Sequence, residues 1–484
     1  MWIKLFWFIV FVEVMTFMWN IYRYISFNRL YKKDKNLKNN HNIEIPQILI
    51  TIPCLREQDA IKSTLEHLIN ITPNNVDLSI IVVTTEKEEF EKSKKIVEIP
   101  ILANDLAKNV QLRALTSKYN ELLPTSALIE LMNECKSKNI TEVIEIIKNK
   151  VEETPTTQQF IINLKKNNKK FKNVHLIHYP YREGIMADQL NFVLKELSKS
   201  DLKIKDTQKT YFAVYNADSI PNEKTIQEFV NTIKNTDFPD VLQQYSYCFS
   251  NWDSISNLMK GFSIFQSNFE LRYGLINATL PKKFLYSYVV GHGMVFKLER
   301  LYELGGFETE FWCEDIYMSC LLRVKNIDIQ PIFVLEKMET PQYLNILIRQ
   351  NAVWFRTAFE CIKMYKHVLR KTKKHSISGF FWMMQRLRMN LSWLLTPFLI
   401  IYTFLYSFFI ESYTLFSFSL VGFSLMIIGV YFTSILLIQK LTSERVINKA
   451  FVLFFTGVAI LISNLGPIYS LLNFKSNKKY KTVR

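Results

Sequence analysis

Two stretches near the C-terminal end hold almost no charge: from Leu391 to Ile438 the single charged residue is Glu411, and from Ala450 to Phe474 there is none. A helix needs roughly 20 apolar residues to cross the hydrocarbon core of a bilayer, so runs of this length constrain the chain more than any other feature. We read spans at about 391–410, 415–438 and 450–470. Residues 1–22 form a further apolar stretch. It lacks a small-residue cleavage site and runs into Arg23, Arg29, Lys32, Lys33 and Lys35, which favours a retained anchor over a cleaved signal. Those basic residues are expected to stay in the cytoplasm, which puts the N-terminus outside and the body in the cytosol. With three further spans the basic tail 475–484 would then lie outside, against the same rule. Either the Pro467-containing segment is interfacial or re-entrant, or a span near 379–395 has to be added.

Between the apolar ends the chain reads as a soluble domain. Its 37 Phe, 23 Tyr and 8 Trp exclude a disordered protein, and 12 Gly with 6 Cys exclude a collagen-like or disulfide-dense one. The cysteines (54, 135, 248, 313, 320, 361) show no CxxC spacing and fit a reducing compartment. The net charge of +16 suggests nucleic acid at first sight, but basic residues flank the apolar segments at 23–38, 363–374 and 475–484. That placement suits anionic lipid headgroups, and no nucleic-acid-binding motif accompanies it.

Ile45–Pro53 reads as a buried first strand, 63–69 as an amphipathic helix, and 78–83 as a second continuous apolar run, the signature of parallel strands covered on both faces. Residues 87–170, rich in Lys, Glu and Asn, read as a helical insertion. Strands resume at 174–178 and 211–215, separated by a helix through 190–197, so the alternation predicts an α/β sheet.

Ligands in such sheets sit at the carboxyl ends of the strands. Strand 211–215 ends in Asn216-Ala217-Asp218-Ser219, where a carboxylate can hold a hard cation that also binds phosphate, although an Asp in this position is often only a turn or cap residue. Further on come Gly291-His292-Gly293, Gly305-Gly306 and Glu314-Asp315, the acidic pair opening a helix over 316–324. Such a pair also simply complements a helix dipole. His292 is either a ligand contact or a loop residue. Gln243–Ser246 lies either under an acceptor or on a polar strand edge. His175 and His178 read as structural. Residues 345–390 mix aromatic and basic side chains as helices in a membrane interface do.

The order of these motifs resembles family-2 glycosyltransferases with a GT-A fold, especially the membrane-embedded cellulose, hyaluronan and chitin synthase-like enzymes. Ile52-Pro53-Cys54-Leu55-Arg56-Glu57 is similar to their opening strand with its proline and acidic turn, and Gly184 to Asn191 resembles their glycine-to-Leu-Asn stretch. Asn216-Ala217-Asp218 stands where they carry Asp-x-Asp, and Glu314-Asp315 where they carry an acidic pair. Arg349 to Trp354 falls where processive members have Gln-x-x-Arg-Trp. The sequence departs at Asn216 and at Val353, which replace an Asp and an Arg of those patterns, and at Ile185.

The resemblance implies inverting transfer of a sugar from a nucleotide-sugar donor, UDP-linked by expectation, to a polysaccharide or lipid-linked acceptor. Asp218 would bind the diphosphate through Mg²⁺ or Mn²⁺, and Asp315, beside Glu314, would be the general base. Pro53, Glu57, Glu86, Asn191, Asn216 and Asp218 would line the donor side, and His292, Gln350 and Trp354 the acceptor side. The expected organisation is an anchor at 1–22, a basic linker at 23–44 and a GT-A domain at 45–345 interrupted at 87–170. Interfacial helices at 346–390, transmembrane helices at 391–474 and a basic tail at 475–484 follow, with the enzyme in a bacterial plasma membrane and its catalytic domain in the cytoplasm. The departures at Asn216 and Val353 also suit a catalytically inactive nucleotide-sugar-binding subunit of an export complex.

Overall fold

The computed structural model describes residues 2–35, 45–108, 110–119, 122–136, 138–197, 204–279, 286–442 and 449–473. The expected tail 475–484 and the linker from 36 onward lie outside these residues. Seven strands form one mixed sheet: β1 (Gln47–Pro53), β2 (Asp77–Thr85), β3 (Val174–Tyr179), β4 (Thr210–Val214), β5 (Val241–Tyr247), β6 (Met294–Lys297) and β7 (Gln330–Lys337), in the order β3-β2-β1-β4-β6-β5-β7. β1 pairs in parallel with β2 and β4, β6 runs antiparallel between β4 and β5, and β7 is parallel to β5. The chain thus has the expected α/β fold, and β1 is the strand at which sheet order reverses.

Strand alternation sorts the core into two layers. Ile48, Ile50 and Ile52 of β1 face one way with Tyr211 and Ala213, against the helices Gln58–Ile71 and Thr225–Asn235. Leu49, Ile81, Phe212 and Val214 face the other way, against Met186–Glu196 and Glu314–Lys325. β5 shows no apolar run because its sequence is VLQQYSY, yet Gln243, Gln244 and Ser246 are fully buried. This corrects the alternative of a polar edge. β5 lies between β6 and β7, and its amides are consumed internally: Gln243 bonds Val290 N–H and the His292 carbonyl, and Gln244 bonds Thr225 and the Val334 carbonyl. Buried amides stay tolerable only when paired in this way.

Between β2 and β3 the chain runs through six α-helices among the described residues, from Glu86 to Asn167, and several of them share a core built on Leu102, Leu115, Leu128 and Ile147.

Among the described residues four segments are long and apolar enough to cross a membrane: Trp2–Arg29, Ile377–Phe409, Tyr413–Leu441 and Ala450–Leu472. The first helix continues to Lys35, so the basic stretch begins within a helix and Arg23 is buried. The helix Ile377–Phe409 starts well before the expected 391 and takes in residues expected to lie in the interface; its Ser376 side chain caps it. Phe27 and Tyr31 at the end of the first helix pack on Phe333 of β7, and Lys440 bonds Asn28, so both helix ends lie beside the sheet. At the far end Tyr402 bonds the Trp2 carbonyl. The last segment differs: Lys449–Ile462 is only about 21 Å long at 1.5 Å per residue, breaks at Ser463-Asn464 and continues as Leu465–Leu472. Its first half packs so closely on Asn257–Phe269 that a side chain at Gly261 would meet the Phe455 carbonyl, and its second half packs equally closely at Gly466 on Asn351. Both partners belong to the body, which favours the interfacial or re-entrant alternative for this segment.

Candidate active site

β4 delivers its loop at the sheet's switch point. Asn216 and Ser219 close a turn on each other, with Asn216 N–H donating to Ser219 Oγ at 3.1 Å and Ser219 N–H to the Asn216 carbonyl at 3.1 Å. Thr64 ties down the Ala217 carbonyl at 2.7 Å. The turn residue and the potential ligand are therefore the same motif, because Asp218 faces a cavity of about 1740 Å³. Asn216, Asp218, His292, Glu314, Asp315, Gln350 and Trp354 all line that cavity, so elements far apart in sequence converge on one space. It reaches Gln111, Leu112 and Thr125 of the helical insertion on one side and Ile9, Glu13, Leu399 and Val430 of the apolar helices on the other.

Asp315 sits at the start of Glu314–Lys325, with Oδ1 accepting Ile316 N–H at 2.8 Å and Oδ2 accepting Gly291 N–H at 3.2 Å. Burial pushes its carboxyl above the usual range, against the pull of these N–H groups, Arg386 and His292. The glycine loop rides directly over the acidic pair: a Cβ at Gly291 would lie 3.6 Å from Glu314 Oε1. Gly293 (φ 65°) leaves no space for a side chain, which would meet the Gln244 carbonyl at 2.6 Å.

His292 lines the cavity and has a buried partner. Its Nδ1 lies 2.8 Å from Glu336 Oε2, and both side chains are almost fully buried. Burial opposes protonation of His292, but Glu336, Glu270 and Asp218 outweigh it and raise the imidazole to about 9. Glu270, whose carboxylate binds Ser246 through N–H (2.9 Å) and O–H (2.7 Å), opens a π-helical turn, Glu270–Ile276, that also sends Arg272 and Tyr273 to the cavity wall. Gln350 Oε1 is buried there with no partner.

Four expected donor residues do not reach the cavity wall. Pro53 ends β1 against Val83. Glu57 precedes the helix Gln58–Ile71 and its N–H donates to Thr157. Glu86 lies 3.4 Å from His178, whose other ring nitrogen meets Thr84, so this histidine is structural as expected. Asn191 spends its amide on Phe307, accepting from the N–H at 2.8 Å and donating to the carbonyl at 2.7 Å. It clamps the loop that leads to 311–315, and Gly306 is needed there because a Cβ would meet Asn191 Oδ1 at 2.4 Å.

Sequence reasoning missed Arg56, Glu270, Trp312, Glu336 and Arg386. Arg56 lines the cavity with a left-handed backbone (φ 60°) and pairs with Glu91 at 3.1 Å. Trp312 lines it with Arg356 stacked 4.1 Å from its ring. Arg386 donates to Tyr286 Oη at 3.0 Å and to Thr357 Oγ1 at 2.6 Å. Two arginines, 386 and 388, inside an otherwise apolar helix were the available signal.

Among the described residues no group of three or more His, Cys, Asp or Glu side chains forms a metal cage. The cavity wall offers one carboxylate, Asp218, and the Asn216 side chain, a set that would hold Mg²⁺ or Mn²⁺ only with water and substrate phosphates as the remaining ligands.

No family model and no curated protein matches the chain. Among solved structures it is similar to the mannosyltransferase PcManGT from Pyrobaculum calidifontis in complex with GDP-Man and Mn²⁺, at 11% identity over 96% of this chain and 99% of that one, with a TM-score of 0.43. It is also similar to S. aureus TarS 1-349 in complex with UDP-GlcNAc, at 10% identity over 90% and 93% of the two chains, with a TM-score of 0.32. These superpositions are loose, and the chemistry of this chain has to be read from its own residues.

Proposed function

We propose that this chain is a membrane glycosyltransferase that moves a sugar from a nucleotide-sugar donor to a polysaccharide or lipid-linked acceptor at the cytoplasmic face, with inversion. What carries the reading is the single cavity in which Asp218 of the β4 loop, the Glu314-Asp315 helix start and Gln350 with Trp354 meet and which then continues between apolar helices. The donor diphosphate is held at Asn216 and Asp218, with Arg56 on the same wall. Asp218 would hold Mg²⁺ or Mn²⁺ together with the donor phosphates, and such a cation would supply charge compensation for the leaving group. Asp315 takes the proton of the acceptor hydroxyl as its oxygen attacks the anomeric carbon, and the donor's phosphate oxygen leaves with the bonding pair. A buried carboxyl with a raised pKa suits that task. Gln350 offers its unpartnered carbonyl to an acceptor hydroxyl, and the indoles of Trp354 and Trp312 provide faces for sugar rings.

In membranes supplied with UDP- and GDP-sugars and Mn²⁺, Asp315→Asn is expected to abolish transfer while nucleotide affinity stays within about twofold. Asp218→Ala is expected to lose metal-dependent donor binding by tenfold or more, about the value of one charge-assisted contact. Wild-type transfer by Asp315→Asn removes Asp315 as base. A wild-type protein that binds donor but never turns it over supports the alternative of an inactive nucleotide-sugar-binding subunit.

A further inference from the structure

Where the cavity passes from the acidic site toward the apolar helices, three arginines surround one tyrosine. Arg23 on the first helix has its guanidinium carbon 5.9 Å from the Tyr273 ring, and Arg272 lies 4.9 Å from the same ring. Arg388 lines the cavity with Arg272 and Tyr273. Arg23 is 4% exposed, its Nε and Nη1 lack a hydrogen-bond partner, and Arg272 Nε is buried and equally unpartnered. Arg23 packs on Trp19 at 5.0 Å, an aromatic face and not a carboxylate. Burial opposes ionisation of the Tyr273 hydroxyl, yet Arg272, Arg388 and Arg23 together pull it below its ordinary value.

The acids of the same cavity do not neutralise this cluster. Glu270 is engaged with both the N–H and O–H of Ser246. Glu13 lies ten residues before Arg23 on one helix, about 15 Å away along the axis. Arg56 and Arg300 are matched by carboxylates, Glu91 and Asp240, and the buried Arg386 by the hydroxyls of Tyr286 and Thr357. Arg23 is buried, Arg272 half-buried and Arg388 exposed, so three like charges with unspent donors stand together where an anion in the cavity would offset their repulsion. Guanidinium groups recognise phosphate through paired N–H donors. Beyond the cluster the wall turns apolar, through Ile9, Val12, Leu399, Ile400 and Met426. A free sugar chain has nothing to gain from that surface, whereas a hydrocarbon tail has.

We propose that Arg272 and Arg388, with Arg23 behind them, bind the phosphate of an amphiphilic acceptor, a lipid phosphate or diphosphate, whose apolar chain lies between the membrane-length helices. This deepens the glycosyltransferase reading by choosing lipid-linked over free polysaccharide acceptors, and it rests on that reading for the word acceptor.

The test is equilibrium binding to the full-length chain in detergent micelles, using farnesyl phosphate, farnesol, inorganic phosphate and phosphatidylglycerol, with nucleotide-sugar binding measured in parallel. Farnesyl phosphate should bind saturably and about tenfold or more tighter than farnesol, since charge-assisted hydrogen bonds distinguish the two. Arg272→Gln and Arg388→Gln should each remove roughly tenfold of the farnesyl phosphate affinity while leaving farnesol binding unchanged, and Arg→Lys at either position should lose less. Equal affinity for the phosphate and the alcohol overturns the site without any variant. Inorganic phosphate binding as tightly as farnesyl phosphate overturns the lipid class. Phosphatidylglycerol competing on equal terms makes the site one for bilayer lipid and overturns the acceptor role. Farnesyl phosphate binding that survives when no nucleotide sugar binds upholds the phosphate site and sinks the transfer reading instead.

Discussion

His292 illustrates how a residue readable as either ligand or loop is resolved by a partner 44 positions away. Its pKa of about 9 lies above the ordinary 6.5, so the protonated pair with Glu336 contributes stability that is fully present below about pH 6.5 and is lost as pH rises through 9. A shift of that size corresponds to about 3 kcal/mol. The thermal midpoint of the purified protein should therefore fall between pH 6.5 and 9, and Glu336→Gln should lower the midpoint at pH 6.5 and flatten the profile; an unchanged profile in the variant removes the pair as its source. The acidic pair Glu314-Asp315 and the strand-end Asp218 were legible because chemistry-bearing residues stood in a recognisable order. Glu336 was not: one acid in the strand QPIFVLEK reads as a solvent-facing position. Asn191 was expected on the donor side and instead spends its amide on the Phe307 main chain, a partner that cannot be read from spacing.

Among elements, the first four strands were readable because β1, β2 and β4 carry long apolar or β-branched runs and are covered on both faces. β5 escaped because its buried amides pair only with atoms brought by β6, β7 and the glycine loop. The contact between Asn257–Phe269 and Lys449–Ile462 was equally hidden, since it depends on an absent side chain. Gly261→Ala should cost about 1–3 kcal/mol, because the added methyl meets main chain that no rotamer change can move. Thermal unfolding in detergent checks this, and a midpoint equal to wild type would mean the helices separate freely.

Over the whole molecule, the conflict between three C-terminal spans and a basic tail disappears if the last segment returns to the body. In sealed vesicles, a cysteine introduced at Asn473 should label on the same side as one at Val97, an exposed residue of the helical insertion, and opposite to one at Tyr413, which is 90% exposed at the start of its helix. Labelling of Asn473 together with Tyr413 would restore a full crossing and return the tail to the other side. The apolar lengths fixed how many segments the bilayer could hold, but not that one of them bends at Ser463-Asn464.

The helix Ile377–Phe409 is a single rod of about 50 Å, well beyond the roughly 30 Å hydrocarbon core. Near one end Trp382 grips the Ser287 carbonyl and Arg386 the Tyr286 hydroxyl, just upstream of the glycine loop, and Pro397 lies farther along. Lipids of different acyl length would tilt the outer part of this rod by different amounts, and the grip would pass some of that tilt to Gly291 and so to Asp315. Turnover should accordingly vary with bilayer thickness even when both substrates are saturating.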